Sequence, residues 1–203
     1  MNEAKIQLSA DELAIVQDAR LLLTKNIIIG KVYILFGEVA RGVQEMIGEG
    51  RVMLPPEAQA VSPKISRGEN YEGLPYVMLD YPRLFSRHDI FAVRVMFWWG
   101  NYFSITLHLK GIYREKYAPQ LVKNLALLAQ HDFHICTGKD DWRHELEAGN
   151  YIPLQQQNEL QAAESISGND FCKLSSRIPF QQWNRVSRLL AGLYQTIFTS
   201  LGY

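Results

Sequence analysis

Two cysteines, Cys136 and Cys172, are all that this 203-residue chain carries. That is too few for a disulfide framework, so the sequence reads as one with reduced thiols in a cytoplasmic setting. Net charge is missing as well. With 21 basic and 21 acidic side chains the formal charge is zero, so no global field draws the chain to nucleic acid, which is not an expected partner, or to an anionic membrane. The apolar run from Ile27 to Phe36 is broken by Gly30 and Lys31, which argues against a bilayer span. The opening Met1-Asn2-Glu3-Ala4-Lys5 is hydrophilic and lacks the order of a signal peptide. Phosphate loops are absent too: Gly30-Lys31 and Gly138-Lys139 lack both the earlier glycine and the following Ser or Thr, and no G-x-G-x-x-G or G-x-S-x-G occurs.

What is present is concentrated between Asp89 and Gly111, where two aromatic-rich runs flank Trp99-Gly100-Asn101. A two-residue turn would place Arg94 among aliphatic side chains, and desolvating an unpaired guanidinium is too costly. A three-residue loop instead sets Phe91, Val93, Val95 and Phe97 opposite Leu109, Leu107, Ile105 and Phe103 on a wholly apolar face. The other face then carries Arg94, Met96 and Trp98 beside Tyr102, Ser104, Thr106 and His108, a mixture suited to a pocket wall or a partly wet sheet surface. Tyr76 to Tyr81 alternates in the same way, with Val77, Leu79 and Tyr81 on one side and Asp80 on the other, and Pro82 is expected to stop it. The three runs predict an antiparallel meander over 76–110.

Before the meander, Ser9 and Glu12 make a capping box stapled by Leu8 and Leu13. The helix that follows has an apolar stripe of Leu13, Val16, Ala19, Leu22 and Leu23, with a break expected at Asn26. A second amphipathic segment carries Val32, Leu35, Phe36, Val39, Val43, Met46 and Ile47. This N-terminal helix pair, 1–48, either packs on the domain or forms a semi-independent extension whose stripe pairs with a second copy. Arg51 to Pro75 is punctuated by proline and glycine and reads as a long connection with at most one short strand. After the meander come a helix expected to start at Pro119, a strand from Phe133 to Cys136, a brief helix from Asp140 to Ala148, and a polar stretch to Gly168. A strand from Phe171 to Ile178 and a long amphipathic helix from Pro179 close the order. Acids dominate 139–170 and bases 171–203, blocks that complement each other. The expected fold is a single α+β domain, 1–203, with an antiparallel sheet covered by helices.

Two constellations carry candidate chemistry. Asp80 and Arg94 fall on neighbouring strands beside His108 and Tyr102, which gives either a half-buried ion pair or a ligand site. In the ligand reading Arg94 holds an anionic group, His108 exchanges a proton, Met96 and Trp98 contact an apolar body, and Thr106 lies on the same wall. His131, His134 and Cys136 form H-x-x-H-x-C, a weak metal pattern without the second ligand pair of a structural zinc site; no cofactor is predicted. Ser86-Arg87-His88-Asp89 has the residue types of a triad, but adjacent residues on a loop point apart, and it reads as a turn. The functional expectation is a non-catalytic binding or interaction protein, with a small-molecule ligand or a homo-oligomer as partner. The alternative is a hydrolytic or acid-base enzyme, with or without a metal.

Overall fold

A computed structural model of the chain describes residues 6–203, so the hydrophilic opening lies outside the described residues. The chain order is α1 (Ala10–Gln17), α2 (Ala19–Gly48), α3 (Pro56–Gln59), β1 (Lys64–Tyr71), β2 (Leu74–Phe85), β3 (Ile90–Trp98), β4 (Tyr102–Lys110), α4 (Ile112–Lys123), α5 (Leu125–Gln130), β5 (His134–Cys136), β6 (Tyr151–Pro153), α6 (Glu159–Ser167), β7 (Phe171–Pro179) and α7 (Val186–Ser200). The strands form one antiparallel sheet in the order β1-β2-β3-β4-β7-β5-β6. This is an α+β fold with a long C-terminal helix, as the sequence predicts.

The β3–β4 hairpin takes the three-residue loop. Phe97 opposes Phe103, Trp98 opposes Tyr102 and Arg94 opposes Thr106. Gly100, at φ 76°, turns the chain in the left-handed region that glycine enters without a Cβ penalty. The apolar sheet face packs against Val32, Phe36, Val43, Leu121, Leu190, Tyr194 and Ile197 from α2, α4 and α7 in one continuous core. Ser9 and Glu12 make the capping box reciprocally, at 2.7 and 3.2 Å.

Several boundaries differ from expectation, each for a local reason. The break between the first two helices falls at Asp18, whose carboxylate accepts from the Arg20 amide at 2.9 Å, and α2 then runs unbroken past Asn26. The punctuated stretch after α2 contains a full strand, β1, because Lys64 to Gly68 finds register with Asp80 to Tyr76. Strand β2 continues beyond Pro82 through a register shift between Asp80 and Arg83, a bulge where the missing proline donor is tolerated. Helix α4 starts at Ile112, not Pro119, because Asp89 Oδ1 accepts from the Ile112 amide at 3.0 Å. Gly111 makes that cap: at φ 60°, a Cβ there would lie 2.1 Å from the same oxygen. Around it, Ser86 Oγ accepts from the Asp89 amide at 2.9 Å, so the Ser86-to-Asp89 segment is a turn and a helix cap. The last helix is preceded by a 3₁₀ segment, Phe180–Arg185, and α7 begins at Val186.

No helix among the described residues is long and apolar enough to cross a membrane.

Candidate functional site

The second sheet face is covered by the chain itself. Residues 137–150, expected to hold a brief helix, carry no regular secondary structure, because their backbone groups are claimed from outside the segment. Lys173 Nζ donates to the carbonyls of Asp141 at 3.0 Å and Arg143 at 2.5 Å. The amides of His144 and Leu146 donate to the hydroxyls of Tyr71 and Tyr102 at 2.7 and 2.8 Å. Such bonds replace the helix ladder and satisfy the same groups.

Beneath this strap the sheet-face residues predicted from sequence lie on one wall, divided into two ends. Met96 and Trp98 cluster with Met78 and lean on Tyr71, Leu74, Tyr76 and Tyr102. Trp98 Nε1 donates to the Tyr71 carbonyl at 3.2 Å. At the other end Arg94 grips Asp80 with two bonds, Nε to Oδ1 at 2.6 Å and Nη2 to Oδ2 at 3.1 Å, the fork geometry that makes such pairs strong. Its Nη1 lies 2.9 Å from His144 Nε2, and the Phe85 and Trp142 rings face the guanidinium at 5.6 and 5.9 Å. Three of the five N–H directions of Arg94 are therefore used internally. Thr106 Oγ1 shares a hydrogen bond with Ser175 Oγ at 2.8 Å.

His108 is 4 % exposed and opposes Lys173 in the β4–β7 register. Burial, then the positive charges of Lys173, Arg94 and Lys110, push its pKa down to about 3, so the ring is neutral at neutral pH. Burial and the charges of Lys173 and Arg94 also hold His144 well below the ordinary histidine value. Lys173 is fully buried and burial pushes its pKa down to about 8. Lys110 Nζ reaches Asp141 Oδ2 at 2.9 Å. Glu145, bonded by Tyr71 and Arg143, is pushed up by burial, but these partners bring it below the usual carboxylate value.

The three residues of the metal pattern go separate ways. His131 is exposed at the C-cap of α5, His134 Nδ1 lies 3.0 Å from the Asp132 carbonyl, and Cys136 Sγ faces Asn150 Oδ1 at 3.6 Å. No group of three His, Cys, Asp or Glu side chains among the described residues is arranged to hold a metal ion.

The sequence places none of Tyr71, Asp141, His144, Glu145, Lys173 and Ser175 on this face: Asp141, His144 and Glu145 stand in it only as neighbours of the metal pattern, and Tyr71 only as part of the punctuated connection before the meander. The alternation of Phe171, Lys173, Ser175 and Arg177 was available as a signal for β7. Nothing local in 137–150 reports which sheet it covers.

A third feature lies away from the sheet. Helix α1 buries no side chain, and the first buried residue of α2 is Ile29. Leu13, Ile15, Val16, Leu21, Leu22, Leu23, Ile27 and Ile34 are between 47 % and 70 % exposed. Leu23, Ile27, Gly30, Ile34 and Gly37 repeat at intervals of four and three, on the side of α2 away from Val32, Phe36 and Val43, and a Cβ added at either glycine would meet nothing.

Compared with known proteins, the chain matches no family model, no curated protein and no solved structure.

Proposed function

We propose that the chain is a non-catalytic interaction protein that pairs with a second copy of itself through α1 and the outer face of α2. The single observation that carries this reading is the set of eight aliphatic side chains on the arm, each 47 % or more exposed. At roughly 100 Å² apiece, Leu13, Ile15 and Val16 of α1 with Leu23, Ile27 and Ile34 on the outer face of α2 present on the order of 600 Å², the lower end of what one partner of a stable interface buries. Apolar patches of this size mark contact surfaces. The alternation of four and three along Leu23 to Gly37 is the spacing of a helix–helix seam.

Charge favours a copy over an unrelated partner. The acids of the arm, Asp11, Glu12 and Asp18, come first in sequence, and its bases Arg20 and Lys31 come after, while Lys25 is paired within the chain with Glu69. A two-fold axis lets each block meet its opposite on the other chain. The sheet face does not compete for this role, since residues 137–150 already cover it.

The test is light scattering of a triple variant, Leu23→Glu with Ile27→Glu and Ile34→Glu. The expected result is a single-chain mass with unchanged circular dichroism, against twice that mass for the parent. An unchanged doubled mass in the variant would place any contact elsewhere.

A further inference from the structure

A groove opens where β5 runs out. That strand meets β7 only at Leu174 and Ser175, so Ser176 to Pro179 of β7 have no strand beside them on that edge among the described residues. Between these residues and α7 lies a cavity of about 610 Å³, within the size range of small-molecule sites. Ile178, Leu189 and Leu193 give it an apolar floor, and Ile178 and Leu193 are otherwise buried. It shares no residue with the N-terminal arm.

Gly192 lines the same groove, inside α7. Its φ lies outside the left-handed region, and a Cβ added there would meet nothing within 4 Å. Neither backbone conformation nor close packing therefore calls for glycine, which is destabilising inside a helix relative to alanine. What the missing side chain leaves is open groove.

The rim is mainly basic. His131, Arg177 and Arg188 stand there against one acid, Asp132, and all four are exposed. Residues 171–203 hold four bases and no acid. The acidic block 139–170 does not neutralise them, since no salt bridge among the described residues involves Arg177, Arg185 or Arg188. By strand alternation Arg177 belongs to the strap face, which leaves Arg188 as the arginine on the side of the groove. It lies one helical turn from Gly192 on the same face of α7.

We propose that this groove binds a small amphipathic molecule with one anionic head, a carboxylate or a phosphate. The apolar body lies on Ile178, Leu189 and Leu193 across Gly192, and the head meets Arg188. The guanidinium fork matches the oxygens of either head with two parallel bonds, and the floor takes apolar surface out of water. Carboxylate and phosphate offer the same acceptors, and the experiment separates them.

The test is an amide ¹H–¹⁵N spectrum of the full chain, titrated with octanoate, with octyl phosphate and with neutral octanol. The Gly192 and Ile178 signals are expected to shift saturably with at least one of the two anions and to respond at least tenfold more weakly to octanol. Gly100, in the β3–β4 turn, serves as an internal control. Saturation by octanoate alone identifies a carboxylate head, by octyl phosphate alone a phosphate head, and by both a site that reads the shared charge. Gly192→Phe fills the groove and is expected to abolish the response. Arg188→Gln is expected to lower the affinity for the anion to that for octanol. Signals that stay fixed with both anions would overturn the proposal. So would octanol binding as tightly as the anions, or either variant, folded, titrating like the parent.

Discussion

Helix α2 passes through two environments within one continuous run of turns. From Ile29 to Met46 its inner stripe, with Val32, Phe36 and Val43, is sealed against the sheet and α7. From Ala19 to Ile28 no side chain is buried, although Leu21, Leu22, Leu23 and Ile27 are as apolar as the residues that follow. Burying an aliphatic side chain stabilises by about 1.5–3 kcal/mol, so the second half uses that energy for folding and the first half leaves it unused. The difference teaches that apolar patterning alone does not define a core; the available partner does. In the body every amphipathic face has one within the chain, and on the arm none does.

Substitutions in the body should act on stability and leave association alone. The largest effect is expected at Phe36, where truncation to Ala removes a fully buried ring and costs about 3–5 kcal/mol. Asp80→Ala, which strands the guanidinium of Arg94, is expected in the same range. Urea denaturation of the two variants measures both. A much smaller loss at Asp80 would mean that His144 and the flanking rings suffice to hold Arg94.

The second face adds a pH response of its own. The folded pKa of His108 lies at about 3, below its ordinary value of about 6.5. The unfolded chain therefore binds a proton that the folded chain refuses between these values, and stability falls as pH drops below about 6.5. By pH 5 the loss from His108 alone reaches about 2 kcal/mol. Replacing His108 by Gln should flatten that part of the thermal-melt profile, and an equally steep profile in the variant would assign the response elsewhere.

The smallest effect on single-chain stability is expected on the arm. Exposed positions such as Leu23 and Ile27 should change the stability of a dissociated chain by no more than about 0.5 kcal/mol when made polar, while changing its assembly. Denaturation of Leu23→Ser at high dilution checks this; a loss of several kcal/mol would show that the arm folds back onto the body.

The parts legible in the sequence were those where one physical term dominated. The β3–β4 register followed from the cost of burying Arg94 without a partner, and the alternation of Tyr76 to Tyr81 on the neighbouring strand put Asp80 beside Arg94, a pair the structure closes with two bonds. The capping box at Ser9 followed from local chemistry. Strand β1 was obscured because Lys64–Tyr71 is a polar edge strand, and its hydrogen bonds to β2 override weak alternation. The early acids and closing glycine of the strap suit a helix, whereas Lys173, Tyr71 and Tyr102 claim its backbone from distant sequence. Pro119 suits a helix start, yet it lies inside α4, a helix already nucleated by the Asp89 cap. The same distance in sequence hid the site: its wall was readable strand by strand, but its cover and its central lysine were not.

Sedimentation equilibrium of the unmodified chain tests the pairing of its N-terminal helices most directly. Over roughly 1–100 μM, where an interface of this size should associate, the expected mass approaches twice that of the chain as concentration rises. A single-chain mass at every concentration would contradict it.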